Sequence, residues 1–139
     1  MRKDIIKNKI IEIQESLVLI KNNLPDSFNE FQHLGLIKDG IYKRLEFSIE
    51  NLVDIFYISN ADLNLGIPED DSSMIDNLYD KNIISAGIRN IMKSMKGFRN
   101  IIVHRYGKID DELAYTFIKE NINDFDSIIR CVEEIMDKY

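Results

Sequence analysis

The chain has 139 residues, 45% of them hydrophobic and 30% charged, with two prolines, six glycines and no low-complexity run. Residues 1–139 therefore read as a single domain with a core of its own, and disorder, a fibrous repeat and a second folded unit are excluded. A formal net charge of -6 speaks at first against nucleic acid, whose partners usually carry an excess of Lys and Arg.

Ile6, Ile10, Ile13, Leu17, Ile20 and Leu24 recur at steps of three and four, which predicts one long amphipathic helix ended by Pro25. Residues 26–34 suit a short helix capped by Asp26 or Ser27, with Gly35 closing the turn. Leu45, Ile49, Leu52, Phe56 and Leu63 keep the helical period from about Gly40 to Asn64, and Gly66-Ile67-Pro68 stops it. Asp71, Ser72 or Ser73 then caps a short helix near 73–80. The next helix covers roughly 83–104, with Ile88, Ile91, Met95, Phe98 and Ile102 as its core face. Asp110-Asp111-Glu112 gives the last helix an acidic start that suits its dipole, and Ile118, Ile122, Phe125, Ile129, Val132 and Met136 supply its stripe. No segment alternates as a strand does. The expected fold class is all-α, an antiparallel bundle of four main helices plus short ones.

Most chemistry-capable side chains have a plain structural reading. The single cysteine, Cys131, excludes an intramolecular disulfide and sits among apolar helix residues, where a buried thiol is expected. The two histidines are far apart, so no zinc-ligand spacing exists and no metal is expected. Glu50 and Asp54, one turn apart, are expected on a solvated or salt-bridged face. Asp70 and Asp71 read as loop and capping residues, His33 as structural, and the aromatic and Met residues at helical spacing as core. Apolar runs too short to span a bilayer, and a start Met1-Arg2-Lys3-Asp4 without a signal-peptide pattern, give the expectation of a cytoplasmic protein with no membrane contact.

Charge is unevenly spread. Lys81 to Ile109 holds seven basic residues and no acid, leaving eleven basic against 24 acidic residues elsewhere, a balance of -13. An acidic body with one basic segment is the pattern expected of a molecule that turns one surface to a polyanion, and equally of a solvated helix face that is simply basic. On a helix wheel Arg89, Lys93, Lys96, Asn100 and His104 fall in a stripe opposite the core face, with Arg99 at its edge. Tyr106 follows two residues after His104, and Gly107 marks the expected helix end. Histidine titrates near neutral pH and can move the proton of a ribose 2′-hydroxyl or of a leaving oxygen, while arginine can grip a phosphate and stabilise the charge that develops on it. The segment is thus equipped to cleave RNA without a metal.

At these residues the sequence resembles the HepT-like toxins of the HEPN superfamily, whose motif is Arg, four to six residues, His, one residue, Tyr. Here it reads Arg99, four residues, His104, Arg105, Tyr106. Met95-Lys96-Gly97-Phe98-Arg99-Asn100 looks like the family's approach to its arginine, Tyr106-Gly107-Lys108-Ile109-Asp110 like its exit, and the Gly-Ile-Pro connection at 66–68 also fits. The resemblance covers nearly the whole chain, with no departure inside the motif. It implies a homodimeric bundle whose two Arg-His motifs face one cleft, and a metal-independent ribonuclease toxin attacking tRNA or mRNA without a cofactor. It also implies a partner, a minimal nucleotidyltransferase antitoxin of the MntA type, which transfers AMP from ATP to the motif tyrosine, here Tyr106. On this reading Arg99 and His104 are catalytic, Asn100 orients the phosphate or the histidine, and Lys93, Lys96 and Arg105 position RNA. The alternative is a non-catalytic helical module that binds a nucleotidyltransferase or a nucleotide through the same basic face.

Overall fold

The computed structural model describes residues 1–104 and 109–139, the side chains of Val103 and His104 excepted, and among the described residues every regular element is a helix. α1 (Lys3–Asn23) buries the predicted stripe, with Ile6, Ile13 and Ile20 fully enclosed. It ends where Pro25 removes a donor and fixes the backbone. α3 (Leu36–Asp62) lies antiparallel along α1, and Arg2 at the start of one helix pairs with Asp62 at the end of the other at 2.9 Å. Between them, α2 (Phe28–Gln32) is capped by Ser27, whose hydroxyl accepts from the Glu30 amide. The α2 ring of Phe31 is buried against Tyr42 and Tyr115.

Several boundaries differ from the sequence reading, and three of the differences have a local reason. α3 starts at Leu36 and not Gly40, because Gly35 takes a positive φ of 61° and turns the chain directly into the helix. Its first turn projects past the core, leaving Leu36 and Ile37 exposed, so no apolar period marks it. α4 (Asp71–Asp80) is capped by Asp70, which forms a capping box with Ser73. The single last helix is two helices, α6 (Asp111–Asn121) and α7 (Asp124–Lys138). The apolar steps Ile118, Ile122, Phe125 continue across the break, and all three are buried, so periodicity alone does not see it.

α5 (Ala86–His104) carries the basic segment and packs against α3, α4 and α7. Its expected core residues Met95, Phe98 and Ile102 are buried, together with Met92. Phe98 stacks face to face on Phe117 of α6, with centroids 4.0 Å apart and an interplanar angle of 12°. None of the described helices is long and apolar enough to cross a membrane.

Candidate functional site

α4 and α5 form an antiparallel hairpin, so residues at matched steps from the 81–85 connection face one another. Asp76 meets Arg89 at 3.0 Å and Lys93 at 2.8 Å. Five residues back along α4, Asp71 meets Arg99 further along α5 at 2.8 Å. The basic segment, free of acid in sequence, is thus partly neutralised in space by two α4 carboxylates. Arg89 also lies over the Tyr79 ring at 4.8 Å.

The Arg99 contact is the most enclosed of these pairs. Its side chain is 17% exposed and that of Asp71 21%. One terminal nitrogen of the guanidinium donates both to Asp71 and, at 3.3 Å, to Asn100 Oδ1. The second Asp71 oxygen accepts a 2.7 Å hydrogen bond from the Tyr57 hydroxyl on α3. Partial burial pulls the Asp71 carboxyl upward, but the hydrogen bonds from Tyr57 and Arg99 and the charges of Arg99 and Lys96 outweigh it and hold it below the usual carboxylate range. Burial, and then the bond to Asp71, push the Tyr57 phenol up to about 12, so it remains a donor at neutral pH. The same arrangement recurs at α6, where Asp111 accepts from Tyr42 and from Lys38. In both, an aspartate at the first helical position joins a tyrosine of α3 to a cation, and the preceding aspartate does the capping.

The structure therefore places Arg99, Asn100, Lys93 and Lys96 on one side of α5, next to α4, all half-buried. His104 is the last residue of α5, with its side chain outside the description; Arg105 and Tyr106 lie outside the described residues altogether. Asp71, read from sequence as a loop or capping residue, is instead the partner of Arg99; Asp70 is the cap. Tyr57 and Asp76 carried no sequence signal of their own. For Asp76 the matched register of the α4–α5 hairpin was the available clue; for Tyr57, on α3, there was none.

Asp71 apart, the residues given a structural reading keep it. Asp54 pairs with Lys9 at 3.4 Å while Glu50 is exposed, and His33 Nδ1 lies 2.7 Å from the Asn29 carbonyl. Cys131 is half-buried, and burial followed by the Glu134 charge pushes its thiol up to about 11, against a nucleophilic role. Among the described residues no cluster of three or more His, Cys, Asp or Glu side chains is arranged to hold a metal ion.

A family model described as "Ribonuclease HepT-like" matches residues 13–132. The chain is 27% identical to the mRNA nuclease HepT of Shewanella oneidensis over 94% of its own length and 97% of that protein's. It is 33% identical to a candidate RNase of Archaeoglobus fulgidus over 71% of this chain and 74% of the relative. A solved structure of the tri-AMPylated Shewanella oneidensis HEPN toxin in complex with an MNT antitoxin superposes with a TM-score of 0.85 at 27% identity, covering 94% of this chain and 98% of the other. Bundle, basic helix and relatives together define a ribonuclease of the HEPN toxin class. More narrowly, the chain belongs to the HepT-like ribonuclease family.

Proposed function

We propose that the chain cleaves RNA with Arg99 and His104 as catalytic groups, and that AMP transfer to Tyr106 by a partner nucleotidyltransferase switches it off. The observation that carries this reading is Arg99 itself. It is an arginine held half out of water on the basic side of α5, five residues before the histidine that ends the helix. Such a guanidinium donates to the non-bridging oxygens of a phosphate and stabilises the charge gained in the transition state. The histidine moves the proton of the attacking 2′-hydroxyl or of the departing oxygen. Asn100, already bonded to Arg99, orients the phosphate or the histidine. Lys93, Lys96 and Arg105 position the RNA backbone, in a homodimer that brings two motifs to one cleft. The Shewanella relative is an mRNA nuclease and its structural counterpart is AMPylated and antitoxin-bound, which supports mRNA as substrate and a nucleotidyltransferase as partner here.

Transfer of AMP from ATP to the Tyr106 phenol, with pyrophosphate leaving, adds an anionic phosphate and a base beside Arg99, His104 and Arg105. These groups occupy the place of the RNA backbone. The test is intact mass before and after incubation with ATP and the nucleotidyltransferase, on wild type and Tyr106→Phe, with RNA cleavage measured on both wild-type samples. A gain in AMP units that requires Tyr106 and silences cleavage is expected. No gain, with no cleavage by the unmodified chain, contradicts the reading and favours a non-catalytic binding module.

A further inference from the structure

Neither Asp71 nor Tyr57 has a part in the function so far assigned, yet three helices converge on that one carboxylate. One Asp71 oxygen takes the Tyr57 hydroxyl from α3, the other takes Arg99 from α5, and its own backbone is fixed one residue after the α4 cap. An arginine free in water samples many rotamers, and ordering it at the moment of reaction adds to the barrier. Here that ordering is already done. The bonds to Asp71 and Asn100 both leave from one terminal nitrogen, and among the described residues no acceptor takes the Nε or the other terminal nitrogen. Asp71 is also an anion beside a phosphate site, so it opposes RNA binding by charge even as it holds the guanidinium in place.

We infer that Asp71, anchored by Tyr57, is a positioning residue that fixes the Arg99 guanidinium so that its remaining N–H groups meet the scissile phosphate. The inference rests on Arg99 being the phosphate-binding catalytic group. It requires that the carboxylate act on turnover and not on substrate affinity.

The experiment measures kcat and KM on a short RNA with one cleavage site for wild type, Asp71→Asn, Asp71→Glu, Tyr57→Phe and Arg99→Lys. The Arg99 Nε–H signal is followed by nitrogen-15 NMR in the same proteins. Asp71→Asn is expected to lower kcat by about ten- to a hundredfold, the scale of a misplacement near 1 Å, with KM unchanged or lower because an anion has gone. Asp71→Glu should recover part of kcat, and Tyr57→Phe, which deletes one hydroxyl and keeps the ring, should lower kcat severalfold. The Arg99 signal should be sharp in wild type and broadened by solvent exchange in Asp71→Asn. An unchanged kcat and unchanged Arg99 signal in Asp71→Asn and Tyr57→Phe overturns the inference, as does a rise in KM alone. If Arg99→Lys is fully active, the assignment of Arg99 itself fails. If it is inactive while Asp71→Asn is fully active, only the positioning role fails. Should Asp71→Asn not fold, Tyr57→Phe decides on the same readouts.

Discussion

Arg99 and its neighbours show how a residue's meaning changes between sequence and fold. The motif spacing Arg99 to His104 was legible in the chain, and so was the concentration of basic groups around it. That the guanidinium is tied to Asp71 was not, because the tie joins residues 28 apart and depends on the register of two helices. Asp71 looked like a cap because aspartate before a helix usually is one; its neighbour Asp70 took that task and released it. The depressed carboxyls of Asp71 and Asp111 have a pH consequence. Their folded values lie below the unfolded ones, so their contribution to stability is complete above the ordinary carboxylate range and is lost as pH falls through the folded values. Urea unfolding should therefore show stability flat in these groups above about pH 5 and falling below it, and the fall should be shallower in Asp71→Asn and Asp111→Asn. An equally steep fall in both variants assigns it to other carboxylates.

The helices α1 to α5 were read correctly as elements, the last one was read as one helix where there are two, and several ends were misplaced. Buried stripes on α1, α3 and α5 carry a period that survives in one dimension; caps and breaks depend on which side chain reaches which amide. The Asp70–Ser73 box sets the start of α4 and hence the direction of Asp71. Asp70→Ala should cost about 1 kcal/mol, the usual loss of such a cap, in chemical denaturation, and should lower cleavage through Asp71; unchanged stability contradicts the cap assignment. Phe98 is one residue before Arg99 and almost fully buried in its stack on Phe117. Phe98→Ala should cost about 3 to 5 kcal/mol, as aromatic truncation in a core does, whereas a loss below about 1 kcal/mol means the site end of α5 is held by other contacts.

At the scale of the whole molecule the uneven charge acquires a spatial order. The acidic body does not simply flank a basic strip: α4 lays Asp71 and Asp76 along it and pairs with Arg89, Lys93 and Arg99. The affinity for RNA should fall linearly with salt on logarithmic axes, with a slope near 0.7 per phosphate contact for a single strand. Lys96→Gln should reduce that slope by about 0.7, the weight of one such contact. Lys93→Gln should reduce it less, since Lys93 exchanges one carboxylate for one phosphate. Equal slopes in the two variants contradict the ordering.

The most direct measurement is cleavage of RNA by the purified, unmodified chain in excess EDTA, compared with Arg99→Ala and His104→Ala at equal helicity and equal mass in sedimentation. Cleavage by wild type, with a loss of at least about a hundredfold in either variant, the scale of removing a catalytic acid–base group or a charge-stabilising donor, is the expected result. Full activity in His104→Ala, or wild-type cleavage abolished by EDTA, contradicts a metal-independent site built on Arg99 and His104.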